Sequence, residues 1–139
     1  MDMMLLPLRR YAEFFGRSSR AEYWLFVLFV VVASAILTLV DTALGLGGGI
    51  ERRWLYTGWS AYGWTDWHGG LLTRIFALLM IIPGLAVAVR RLHDTNRSGW
   101  WLLIVLVPFI GWLVLLVFYV QPSWPMPNRW GAPAALPPA

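Results

Sequence analysis

Three apolar runs, Tyr23 to Leu44, Leu71 to Val89 and Gly99 to Val120, constrain this chain more than any other feature. Each approaches the ~20 residues that a helix needs to cross a hydrocarbon core of ~30 Å. With 59% of its residues hydrophobic and 13% charged, a soluble globule of 139 residues could not cover so much apolar surface. The expected fold is an all-α integral membrane protein with about three transmembrane helices. A leader over residues 1–22 precedes a membrane domain over 23–120, and a proline-rich tail follows over 121–139, expected to be extended or disordered. The stretch Ala33-Ser34-Ala35 mimics a signal-peptide cleavage site, but Ile36 to Val40 continue the apolar run past it, which favours a span.

The basic residues are all arginine, and they lie at the ends of the apolar runs. There they act as topology signals and as contacts for anionic headgroups, so membrane lipids are the expected partners and nucleic acid is not. Three full crossings put seven arginines on one side (Arg9, Arg10, Arg17, Arg20, Arg90, Arg91, Arg97) and four on the other (Arg52, Arg53, Arg74, Arg129). The positive-inside rule then orients the N-terminus to the cytoplasm. In the rival topology Pro108-Phe109-Ile110-Gly111 folds the third run into a re-entrant hairpin, which returns Arg129 and makes the split eight to three. The 22-residue length of Gly99 to Val120 favours the full crossing.

Between the first two spans, Trp54, Tyr56, Trp59, Tyr62, Trp64 and Trp67 crowd a loop opened by Gly47-Gly48-Gly49. Rings with polar tips settle at headgroup level, so an interfacial loop is expected. Pro83 in the second run removes a helix donor and predicts a kink. Asp41 and Arg74 reach into the apolar runs within about a turn of one membrane face, where an intramembrane ion pair is the expected arrangement.

Enzymatic chemistry finds little support. There is no cysteine, and His68 and His93 fall on opposite sides in either topology, so no metal or other cofactor is expected. Ser18, His93 and Asp94 lack the spacing of a nucleophile elbow. Three spans are too few for a transport path in one chain, so a channel or transporter requires a homo-oligomer. The small residues Ala33, Ser34, Ala35, Gly84 and Ala88 would permit close helix contacts in one.

Two polar clusters remain. Ser19 and Glu22 have capping-box spacing and predict a helix start near Arg20. The segment from Arg90 to Ser98 reads as a link between spans, with Asp94-Thr95-Asn96 as a turn and Ser98 as the cap of the next helix. In the deduced topology both clusters share one membrane face. Arg17, Arg20, Arg90, Arg91, His93, Asp94, Arg97 and Ser98 are therefore the candidate site for an anionic headgroup or a protein partner, because guanidinium forks match phosphate oxygens.

The same clusters carry a family resemblance. Phe-x-Gly-Arg-x-Ser-Arg-x-Glu-Tyr-Trp before the first span, Arg-Arg-Leu-His-Asp-x-x-Arg-Ser-Gly-Trp-Trp later, and the ending Asn128-Arg129-Trp130-Gly131 resemble the bacterial family called domain of unknown function 805. The resemblance runs from about Tyr11 to Gly131. It implies residence in the bacterial inner membrane and no established activity.

Overall fold

The computed structural model describes residues 2–47, 49–57 and 60–134. In chain order they form α1 (Asp2–Arg9), α2 (Arg20–Ala43), the strands β1 (Gly49–Thr57) and β2 (Ser60–His68), α3 (Leu71–Asp94), a 3₁₀ arm (Gly99–Leu106) and α4 (Ile110–Val120). They fall into two compact units, Met1–Phe29 with Ile81–Ala139, and Val30–Met80.

Two of these helices have the length and composition of membrane spans. α2 and α3 run 24 residues each, with mean hydropathy of 2.6 and 2.2 over their most apolar windows. At 1.5 Å per residue each is about 36 Å long, enough to cross a bilayer. Large apolar side chains such as Leu28, Val31, Leu39 and Leu78 point outward from them, as lipid-facing side chains do. α2 begins at Arg20 as its capping residues predict: Ser19 Oγ accepts the Glu22 N–H at 3.2 Å.

The third apolar run does not cross as one helix. Its first part, Gly99–Leu106, winds as 3₁₀ and its second, Ile110–Val120, as α, with a reversal between them. Eight residues at about 2 Å and eleven at about 1.5 Å give two arms of roughly 16 Å, half the depth of a bilayer core. The reversal is a γ-turn at Phe109, whose φ of 61° is rare for a residue with a side chain, closed by the Ile110 N–H on the Pro108 carbonyl at 2.7 Å. Pro108 has no N–H to continue a helix, and Gly111 lets the arms meet. A Cβ on Gly111 would lie 1.8 Å from the Ile104 carbonyl oxygen. In place of the single helix that a full crossing needs, the third run thus forms a hairpin of two short arms.

In the first unit Ala88 and Leu92 of α3 pack with Leu115 and Tyr119 of α4, flanked by Tyr23, Leu102, Ile104 and Phe118. This cluster holds the hairpin against the end of α3. The Tyr23 and Tyr119 rings lie 4.5 Å apart within it.

The second unit contains the other departure from the expected all-helical architecture. β1 and β2 pair antiparallel, Gly49 opposite His68 and Thr57 opposite Ser60, where a loop was expected. The aromatic density read as an interfacial signal is also strand propensity. Trp59 lies outside the described residues, as do the side chains of Trp54, Tyr56, Tyr62, Trp64, Trp67 and His68.

Asp41 and Arg74, in the same unit, act on each other through space, without the direct salt bridge expected of an ion pair. Asp41 is fully buried and its carboxylate accepts the Leu72 and Thr73 N–H groups, each at 2.9 Å, and the Thr73 hydroxyl at 2.8 Å. It satisfies donors that the first turn of α3 leaves unpaired, while Arg74 Nε donates to the Gly69 carbonyl at 3.1 Å. The closeness that suggested a pair is real, but the helix N-terminus supplies better-placed donors.

Candidate functional site

The residues from Arg90 to Asp94 are helical, so α3 runs five residues beyond the expected end of its span, and the link shrinks to Thr95–Ser98. Asn96, at φ 59°, ends the helix: its N–H bonds the His93 carbonyl at 3.0 Å and the Arg97 N–H bonds the Leu92 carbonyl at 2.9 Å. This pair of bonds is a Schellman motif, in which asparagine tolerates the left-handed position better than most residues. Ser98 caps the 3₁₀ arm by accepting the Trp100 N–H at 3.5 Å.

Placing Arg90, Arg91, His93 and Asp94 on the last turns of α3 aims them at several partners at once. Asp94 sits where the helix dipole disfavours a negative charge, and two guanidiniums offset this. Arg17 Nε lies 3.0 Å from Oδ1, and Arg91 Nη1 holds Oδ2, with all three side chains at most 1% exposed. Arg17 also donates to the carbonyls of Trp124 and Met126, the latter at 2.9 Å. Arg91 donates to the Tyr119 carbonyl from Nε at 3.2 Å and Nη2 at 3.1 Å, and to the Gln121 carbonyl, which satisfies the end of α4.

Arg90 faces a different partner, Glu22 of α2, at 3.3 Å. The Arg90 carbonyl accepts the Ser18 N–H, which fixes the leader to the same helix end. His93 stacks on Trp130 with ring centres 4.4 Å apart, and its Nδ1 lies 3.3 Å from the Gly16 carbonyl. Asn128 Nδ2 donates to the His93 carbonyl at 2.9 Å. Arg97 lies over the Phe118 ring at 3.9 Å and donates to Gln121 Oε1 at 2.8 Å.

The structure therefore brings together Arg17, Arg90, Arg91, His93 and Asp94, but buries them: Arg17 and Arg91 against Asp94 and main-chain carbonyls, and Arg90 opposite Glu22, with no hydrogen bond to its guanidinium nitrogens among the described residues. Of the basic pocket expected from Arg17, Arg20, Arg90, Arg91 and Arg97, three guanidiniums thus lie inside the fold, where a charge is tolerated only when paired. Arg97 is half-buried, and Arg20 alone of the five site arginines is exposed. Arg20 lies at the first turn of α2, with a long contact to the Val120 carbonyl at 3.4 Å. It lines a cleft of about 650 Å³ with Ser19 and Ala21 on one side and Pro122, Trp124 and Pro125 of the tail on the other.

Sequence reasoning missed the tail's part in this site. Residues 121–134 lie along the end of α3 and are held there by the bonds to Arg17, Arg91 and His93. The signal for it was the Asn128-Arg129-Trp130-Gly131 ending, in which Asn128 and Gly131 close a small bridge with two bonds of 3.0 Å.

A family model described as a protein of unknown function (DUF805) matches residues 11–132, which include the second half of the leader, both long helices, the hairpin and most of the described tail. The chain belongs to the DUF805 family. Its relatives include the inner membrane protein YhaH of Escherichia coli strain K12, 41% identical over 99% of this chain and 100% of YhaH. The inner membrane protein YhaI of the same strain is 39% identical over 94% of this chain and 93% of YhaI. No solved structure matches. Family membership fits the apolar spans of an inner membrane protein, and its description names no activity.

Proposed function

We propose that this DUF805 protein binds anionic lipid headgroups at the cytoplasmic face of the inner membrane, through the cleft beside Arg20. The observation that carries the reading is the cleft itself: one exposed guanidinium at a helix N-terminus, facing walls of proline and tryptophan. A phosphodiester headgroup has the matching shape, an anion joined to an apolar body. The cytoplasmic orientation rests on the hairpin topology, in which eight arginines (Arg9, Arg10, Arg17, Arg20, Arg90, Arg91, Arg97, Arg129) share the face of the leader against three (Arg52, Arg53, Arg74) beyond it. In this reading the buried arginines shape the site and Arg20 meets the ligand.

Native mass spectrometry of protein released from phosphatidylglycerol-containing membranes tests it. One arginine at an anionic surface contributes on the order of 1 kcal/mol, so Arg20→Gln should weaken lipid retention about fivefold. Unchanged retention in a correctly folded variant would remove the proposal.

A further inference from the structure

Arg17, Arg91 and Asp94 are almost wholly buried, yet the segment that covers them is not. Trp124 is 44% and Met126 62% exposed, so a single layer of extended chain separates two guanidiniums from the outside. That layer, Pro122-Ser123-Trp124-Pro125-Met126-Pro127, contributes no residue to the buried apolar cluster. It is held by carbonyl oxygens directed at the arginines, by the Trp124 N–H on the Asp94 carbonyl at 2.9 Å, and beyond it by Asn128 and Trp130 on His93.

The charges beneath do not balance. Arg17 and Arg91 bring two positive charges to the one carboxylate of Asp94, and the excess is met by the dipoles of the Tyr119 and Asp94 carbonyls and, from the tail, by those of Gln121, Trp124 and Met126. Those oxygens occupy the positions that phosphate oxygens would take on the same guanidinium forks, where a full negative charge would bind more strongly. The strap also forms one wall of the Arg20 cleft, so displacing it would join the two sites.

From this we infer that residues 121–127 are a displaceable strap over a second oxyanion site formed by Arg17 and Arg91, with the tail's carbonyls standing in for the ligand. The inference deepens the headgroup reading and rests on it. The chemistry is that of a phosphate oxyanion, from a lipid headgroup or from free phosphate. The prolines at 122, 125 and 127 suit such a strap, because they have no N–H to leave unpaired when it lifts and they limit the freedom it gains.

The test uses the full chain in nanodiscs and follows hydrogen exchange at the Trp124 amide, whose acceptor is the Asp94 carbonyl. Phosphatidylglycerol in the disc should speed that exchange relative to phosphatidylcholine if a headgroup is the displacing anion. Inorganic phosphate added to phosphatidylcholine discs should do so if free phosphate is. The double variant Asn128→Ala with Trp130→Ala, which loosens the strap without touching Arg17 or Arg91, should bind the effective anion about fivefold more tightly for each guanidinium freed. An unchanged Trp124 amide at saturating anion in the unaltered protein overturns the strap, whatever the double variant does. Failure of Arg20→Gln to weaken retention overturns the headgroup reading instead, so the two failures are distinct.

Discussion

Arg17 in the leader and Asp94 at the end of α3, 77 positions apart, are joined by a buried 3.0 Å contact. The pair ties the start of the chain to the end of the second span, and Arg91 completes it from the other carboxylate oxygen. Asp94→Asn would keep the shape and remove the charge, leaving two buried guanidiniums without a counter-ion. Breaking a buried pair from one side costs about 3–5 kcal/mol, a large part of a domain's stability. Thermal unfolding in detergent should show a strongly destabilised variant, and a midpoint near that of the unaltered protein would mean the bridge contributes little.

Substituting Arg90, Arg91 and Arg97 together by Gln, a natural test of a basic surface, becomes a test of folding. Arg90→Gln leaves Glu22 buried and unpaired, and Arg91→Gln leaves Asp94 with one partner. Both should unfold earlier than Arg97→Gln, whose half-buried guanidinium reaches the Phe118 ring and the Gln121 side chain. Equal stability of the three single variants would contradict this ordering.

Asp41 and Arg74 give a contrast of the same kind. If Asp41 works as the N-terminal cap of α3, Asp41→Ala should cost about 1–2 kcal/mol while Arg74→Gln costs less, since the exposed Arg74 bonds the Gly69 carbonyl and acts on Asp41 only at longer range. An ion pair would make the two losses similar. Unfolding midpoints of the two single variants decide between them.

Gly111→Ala should open the hairpin, because the new Cβ would overlap the Ile104 carbonyl and backbone cannot move aside cheaply. Gly84→Ala is the control: a Cβ there meets nothing within 4 Å, and the substitution removes a poor helix former. The first should lower the unfolding midpoint and the second leave or raise it. The reverse order would contradict the packing of the 3₁₀ arm on α4.

Much of the architecture was legible because membrane spans and caps are local signals. The two long runs, the start of α2 at Ser19-Arg20 and the cap at Ser98 follow from hydropathy and short-range hydrogen bonding. The reversal at Phe109 was harder, since Pro108 and Gly111 mark a break without saying whether the chain continues or turns back. That choice depends on the fit of Gly111 to Ile104 and on Tyr119 meeting Arg91, contacts that join distant positions. The arginine cluster was legible as a neighbourhood, but the partners that bury Arg17, Arg90 and Arg91 were not. A sequence shows that guanidiniums converge, but not that Trp124 and Met126 will turn their carbonyls toward them. The paired strands over residues 49–68 were concealed by aromatics that suit a membrane interface and a strand equally.

The hairpin makes the most direct claim, that leader, link and tail gather at one membrane face. Because the chain has no cysteine, single cysteines at positions 98 and 123 can be probed in intact cells with an impermeant thiol reagent and compared with one at position 62, which the proposed orientation puts on the opposite face. The account predicts that 98 and 123 are both protected until the inner membrane is permeabilised, while 62 is labelled from outside. Labelling of 123 from outside with 98 still protected would mean that the third run crosses the bilayer, and would contradict the hairpin and the site built upon it.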